Sequence, residues 1–156
     1  MSHVVRIPYF KLAPAVFNKL VDISDTLHAG ALGRRLVDLV FLRVSHINGC
    51  AYCMDMHWRD LMAHGADARE LNTLSAWRES PFFTDRERAA LRWAEIITRI
   101  PDSDASDEEF AALKQHFSDQ EIAELGFTIS VINAWNLLNV GLRNPIPAKV
   151  PETAGA

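Results

Sequence analysis

The sequence predicts an all-α protein, and three observations carry that prediction. Apolar residues recur at intervals of three and four in one segment after another, as one face of a helix requires. The pattern Ser/Thr-x-x-Glu stands at Thr84–Glu87, Ser106–Glu109 and Ser118–Glu121, each time ahead of an apolar run, where it reads as a helix-starting capping box. No stretch alternates polar and apolar residues convincingly enough to form a strand pair.

Residues 1 to 11 read as extended chain along the surface, because Pro8 restricts Ile7 and the mixture of Val, Ile, Tyr and Phe has no helical period. From Pro14 to His28 the apolar residues Val16, Phe17, Leu20, Val21, Ile23 and Leu27 keep helical spacing, and Ala29-Gly30 closes the run. Arg34 to His46 is apolar almost all round, the mark of a helix buried on most sides. Asn48 is expected to cap the start of the next helix, which Gly65 stops. Asp67 caps a short helix through Trp77, and Pro81 breaks it. Thr84 opens a helix to Ile100 that Pro101 ends, and Ser106 opens another ending near Phe117. Ser118 starts a long, mostly apolar helix through Leu142, stopped by Pro145 and Pro147. Residues 148 to 156 read as a frayed tail.

A chain of 156 residues is one domain of ordinary size, long enough to bury a core without disulfide staples. A hydrophobic content of 49% and a charged content of 23% are those of a soluble globular protein. Sixteen Lys and Arg against twenty Asp and Glu give a net charge of −4 with no basic run, which argues against nucleic acid or an anionic membrane surface as the main partner. The first residues have no apolar signal-like region, and no uninterrupted apolar stretch reaches the roughly 18 residues of a membrane span. The expectation is a cytoplasmic protein. In a reducing compartment a lone C-x-x-C points to redox or metal chemistry rather than to a structural staple.

Both cysteines of the chain lie in one motif, Cys50-x-x-Cys53, with His57 four residues on. On a helix advancing about 100° per residue all three share one face, with His57 one turn from Cys53. Thiols at i and i+3 can approach disulfide geometry. Cys50 would feel the positive end of the helix and Cys53 has an imidazole to share its proton, so either thiol could be activated. Asp38 is the sole acid in its apolar run, and a buried carboxylate must be paired or do chemistry. A hairpin about Asn48 would set Asp38 level with His57 to within a turn.

Plainer readings stand beside these. The cysteines could be small buried hydrophobes. They could be zinc ligands with His57 and either Asp38 or His46, although no second C-x-x-C exists and no metal or cofactor is assigned. Asp38 could pair with Arg34 or Arg35 on its own helix. Haem attachment is out, because Met54 rather than His follows Cys53. His46 is expected at a helix C-terminus, and His3, His28, His64 and His116 as solvent or capping histidines. Trp58, Trp77, Trp93 and Trp135 read as core or interface. Asn133, Asn136 and Asn139 recur in an apolar helix and need partners, in this chain or across a subunit interface.

From Arg43 to His57, Arg-Val-Ser-His-Ile-Asn-Gly-Cys-Ala-Tyr-Cys-Met-Asp-Met-His, the chain resembles the alkylhydroperoxidase D-like branch of the carboxymuconolactone decarboxylase family. Ile132-Asn-Ala-Trp-Asn136 is similar to a later helix of that family, so the resemblance covers most of residues 12 to 147. It implies a single-domain helical bundle with the C-x-x-C at the N-terminus of a central helix, assembled in threes or sixes. It also implies a thiol peroxidase, in which a hydroperoxide oxidises Cys53 to a sulfenic acid and Cys50 resolves it as a disulfide. The family's proton relay pairs the His at position 57 with a Glu at position 38, where this chain has Asp38. Some members carry a His where this chain has Tyr52. The implied partners are a hydroperoxide substrate and a dithiol or protein-disulfide reductant, with no nucleic acid and no membrane. The decarboxylase branch lacks the thiol pair. Other readings of the same residues are a disulfide reductase or redox sensor, a carboxymuconolactone decarboxylase-like enzyme, and a zinc- or small-molecule-binding module.

Overall fold

The central helix of the computed structural model, α3 (Arg34–Asn48), buries ten of its fifteen residues, because apolar partners meet it from two sides. The structure describes residues 4–100 and 102–148; the expectations for His3, for Pro101 as a helix stop and for the tail from residue 149 fall outside them. Around α3 stand α1 (Tyr9–Leu12), α2 (Pro14–His28), α4 (Ala51–Ala63), α5 (Ala68–Asn72), α6 (Asp85–Thr98), α7 (Asp107–Lys114) and α8 (Asp119–Gly141), with a 3-10 turn at Leu74–Ala76. All regular structure among the described residues is helical, as the spacing predicts.

Helix α3 packs on α4, α6 and α8, and α2 lies against α8 and α3. One apolar cluster joins Val37, Val40, Phe41 and Val44 of α3 to Ala90 and Ala94 of α6 and to Leu125, Ile129 and Ile132 of α8. A second joins Leu39 and Leu42, on the other side of α3, to Leu61, Leu71, Leu74, Trp77 and Leu91. A helix between two cores has no polar face to spare, which accounts for its all-round apolar sequence.

Helix starts follow the capping chemistry. Thr84 and Ser118 each form a complete capping box with the Glu three residues on. Ser106 accepts from Glu109 N, but the Glu109 carboxylate turns to Arg92 on α6, so that box is half made. Asp67 caps α5, and Gly65 follows α4 with φ 86°, a backbone conformation open to glycine.

Four expectations need correction. Tyr9–Leu12 is a short helix rather than extended chain: Pro8 presets the entry, and Arg6 ties the segment to the end of α8 through Arg6 N to Leu142 O (2.9 Å) and Arg6 Nη1 to Gly141 O (2.9 Å). The helix after Asp67 ends at Asn72 and tightens into the 3-10 turn, and α7 ends at Lys114, short of Phe117. Asn48 does not cap α4; it is the last residue of α3. No helix among the described residues is long and apolar enough to cross a membrane.

Helix α3 also carries Arg43, 8% exposed, whose guanidinium donates to Glu95 Oε1 on α6 at 2.8 Å. Glu95 accepts further bonds from Trp77 Nε1 (2.8 Å) and Arg78 Nη2 (2.7 Å). Burial would raise the Glu95 carboxyl, but these donors outweigh it and hold the group below its ordinary range. Glu95→Ala leaves Arg43 charged and unpartnered in the core, so urea unfolding should show a loss of about 3–5 kcal/mol. A loss under about 1 kcal/mol, the worth of a surface pair, would contradict this account.

Candidate functional site

The corner between α3 and α4 is made by Gly49, whose φ of 66° reverses the chain, and by Cys50 N bonding back to Ser45 O at 3.1 Å. Cys50 takes the capping position expected of Asn48: its Sγ accepts from Cys53 N at 3.3 Å. Asn48 is engaged elsewhere, donating to Asn133 Oδ1 (2.8 Å) and Asn136 Oδ1 (2.9 Å), while Asn136 Nδ2 donates to Ser45 Oγ (3.0 Å). The α8 asparagines thus find partners within the chain. Cys50 and Cys53 are each 1% exposed and joined in a disulfide, with Cα atoms 5.4 Å apart, so the zinc set of Cys50, Cys53 and His57 is not formed.

His57 lies one turn after Cys53 and is 4% exposed, with no hydrogen-bond partner on either ring nitrogen. The hairpin brings Asp38 to it: Nδ1 stands 3.7 Å from Asp38 Oδ1, beyond hydrogen-bond length. Asp38 is 1% exposed, and its near partner is neither Arg34 nor Arg35 but His28 at the end of α2, with Nε2 at 2.9 Å from Oδ1. Arg35 is occupied by Glu70 and Glu87. His28, read as a solvent or capping histidine, is therefore a site residue, and a buried carboxylate on α3 is what recruits it. Burial would raise the Asp38 carboxyl, but the bond from His28 and the nearness of His57 outweigh it and bring the group to about 2.

A second carboxylate, missed in the sequence, completes the surround. Asp60 Oδ2 is 3.9 Å from His57 Nδ1, three residues on along α4, a spacing that was legible. Burial raises its carboxyl, as does Asp38, although His57 pulls it down. Asp38, His57 and Asp60 offer one nitrogen and two oxygens within 4.8 Å of one another. A tetrahedral zinc ion with bonds of about 2.0–2.1 Å would hold its ligand atoms about 3.4 Å apart. The wider separations here suit an imidazole standing between two carboxylates.

Cys53 and His57 open onto a cavity of about 280 Å³, walled by Tyr9, Phe17, Phe41, Tyr52 and Trp135. Cys50 does not line it. Trp135, expected as core or interface, forms one wall, its Nε1 bonded to Ser24 Oγ at 3.1 Å and its ring 5.5 Å from that of Phe17. At the base, Asn139 Nδ2 donates to Cys53 Sγ at 3.3 Å. Asn139 was marked only as a polar residue in need of a partner, and spacing along α8 could not tell that the partner is sulfur. His46 stands in the last turn of α3, as expected, with its Nδ1 buried and without a hydrogen-bond partner. Two sulfurs that store an electron pair, beside an imidazole with both nitrogens free, can carry redox chemistry coupled to proton transfer.

The model of the carboxymuconolactone decarboxylase family matches residues 14–95. The uncharacterized protein YdfG of Bacillus subtilis is 31% identical over 144 residues, 92% of this chain and 98% of that protein. A crystal structure from Agrobacterium tumefaciens, of the protein ATU0492, has 38% identity and a TM-score of 0.89 over 94% of this chain and all of that one; it is a protein of unknown function proposed as the antioxidant defence protein AhpD. The debrominase Bmp8, at 18% identity and a TM-score of 0.80 over 89% of this chain and 74% of its own, shares the fold. With its all-α, AhpD-like fold and its C-x-x-C pair, this chain belongs to the carboxymuconolactone decarboxylase family.

Proposed function

We propose that the protein is a thiol peroxidase that reduces hydroperoxides through Cys53, with Cys50 as the resolving thiol. The observation that carries this reading is the asymmetry of the pair: Cys53, and not Cys50, meets the cavity, and it does so beside the unpartnered imidazole of His57. In the reduced protein His57 takes the Cys53 proton, and the thiolate attacks the terminal peroxide oxygen. The O–O bond breaks, the alcohol leaves with the proton from His57, and Cys53 becomes a sulfenic acid. Cys50 sulfur then attacks Cys53 sulfur; the disulfide forms and water leaves. A dithiol or protein-disulfide reductant returns the two electrons.

In this mechanism Asp38 holds negative charge beside His57 and so favours the proton's transfer to it. The residue is one methylene shorter than the family's Glu, in keeping with the 3.7 Å gap to His57. We further propose a cytoplasmic homo-oligomer of three or six chains, in support of which Phe127, Leu137 and Val140 of α8 stand exposed. Sedimentation at micromolar concentration tests the assembly, and a pure monomer would contradict it.

Peroxide consumption with a dithiol donor tests the activity. Wild type should turn over and Cys53→Ser should not, while Cys50→Ser should accumulate a sulfenic or further oxidised Cys53 by mass spectrometry. A Cys53→Ser protein that keeps activity, with Cys50 over-oxidised, reverses the two roles.

Asp38→Asn separates relay from scaffold. A lost proton-transfer partner typically costs a factor of about 10² to 10⁴, and because His57 stays in place the rate at pH 7 should fall at least about tenfold and partly recover at higher pH. Stability has its own pH signature. The folded-state carboxyl, at about 2, lies below its ordinary 3.8, so folding favours the charged form. That stabilisation, about 2 kcal/mol, is complete above about pH 4 and is lost as pH falls through 2. Wild type should therefore exceed Asp38→Asn in stability at pH 5, and the difference should shrink toward pH 2. An Asp38→Asn protein that is less stable but reacts at the wild-type rate removes Asp38 from the relay.

A further inference from the structure

Asn139 is 4% exposed, and its side-chain amide makes three hydrogen bonds, two at Oδ1 and one from Nδ2. Its Oδ1 accepts two hydrogen bonds, from Tyr9 Oη at 2.9 Å and from Asn144 Nδ2 at 3.0 Å. Its Nδ2 donates to Cys53 Sγ at 3.3 Å. Turning the amide over would set a carbonyl oxygen against sulfur and an NH2 group among the two donors, so the network selects the orientation that aims N–H at sulfur. An N–H donor suits a thiolate, whose charge it stabilises, better than a thiol, which is a weak acceptor.

The Tyr9 hydroxyl reaches this position through the N-terminal segment. Arg6 binds the backbone of Gly141 and Leu142 at the far end of α8, Pro8 starts α1, and the first residue of that helix is Tyr9. Its ring packs edge-on to Phe17 at 6.0 Å, which fixes the hydroxyl. Burial and the neighbouring Tyr52 raise the Tyr9 phenol, so it remains a donor across the working pH range.

We propose that Asn139 is a catalytic hydrogen-bond donor that stabilises the Cys53 thiolate, and that Tyr9 is the positioning residue that holds the Asn139 amide in its donating orientation. This rests on the reading of Cys53 as the peroxide-reacting thiol, but it concerns the sulfur's ionisation and can be measured without peroxide. The ionisable groups facing the cavity are Tyr9 on α1, Asp25 and His28 on α2, and Tyr52, His57 and Asp60 on α4, with Asp38 of α3 behind His57. Helix α8 brings only Trp135 and Asn139 to it, so its contribution to Cys53 is a neutral donor and not a charge.

The test uses the Cys50→Ser background, in which Cys53 is the sole thiol, and follows thiolate absorbance and iodoacetamide alkylation against pH. Asn139→Ala should raise the Cys53 pKa by about one unit and slow alkylation at neutral pH about tenfold, with recovery at high pH. Asn139→Asp should raise it further by setting a negative charge beside the sulfur. Tyr9→Phe should raise it by less than Asn139→Ala while leaving the thermal melt near wild type. An unchanged Cys53 pKa in folded Asn139→Ala overturns the donor role. An unchanged pKa in Tyr9→Phe overturns the positioning role, and it decides the whole proposal if Asn139→Ala does not fold. Raised pKa values in a protein whose wild type consumes no peroxide would support the donor while refuting the peroxidase.

Discussion

A charge in a helix buried on nearly every side must find a partner on another element, and α3 carries two such charges. Asp38 is met by His28 from α2 and approached by His57 from α4, while Arg43, just over one turn further along, is met by Glu95 from α6. A little beyond, Ser45 and Asn48 bond to Asn133 and Asn136 of α8. Three of the main neighbours of α3, namely α2, α6 and α8, are thereby tied to it by hydrogen bonds as well as by packing, while α4 brings His57 to within 3.7 Å of Asp38. Desolvation offsets much of what buried ion pairs contribute to stability. Their consequence here is register: a slide of α2, α6 or α8 along α3 by one turn would strand a carboxylate, a guanidinium or an amide in the core.

The register in turn makes the site. With Asp38 and His57 level across the α3–α4 corner, the disulfide lies one turn before His57 on the same helix, and the cavity ends against Cys53. The corner itself depends on a glycine in the left-handed region and on Cys50 Sγ standing in for an oxygen cap. The cap is weaker than an Asn or Ser would provide, because sulfur is a poor acceptor. A conventional cap at that position would remove one of the two sulfurs. Helix α4 therefore begins on a sulfur of the disulfide rather than on an oxygen cap.

The same all-α framework is present in the debrominase Bmp8, so the helical arrangement does not choose the reaction. The chemistry of this chain's site is set by what its own helices bring to the Cys53 cavity. Two carboxylates flank one imidazole, a second histidine holds the inner carboxylate, and an amide oriented by the N-terminal helix faces the sulfur. Aromatic rings from α1, α2, α3, α4 and α8 line the cavity and give it a largely apolar wall.

The fold class, most helix starts and the pairing of the two cysteines were legible along the chain because they depend on near neighbours. Capping boxes at Thr84 and Ser118, the i, i+3 thiols, and the level placement of Asp38 and His57 across one turn all involve groups within about twenty residues. Asp38 could also be recognised as anomalous, since a lone acid in an apolar run demands an explanation. Who answers that demand is a matter of packing. His28 reaches Asp38 because α2 lies against α3; Asn139 reaches Cys53 from 86 residues away because α8 lies against α4; and Tyr9 reaches Asn139 across 130 residues because Arg6 pins the N-terminal segment to the end of α8. Periodicity states which face of a helix is buried but not which atom it is buried against. The groups around the Cys53 sulfur come to it from several helices at once, and that convergence exists only once the bundle has closed.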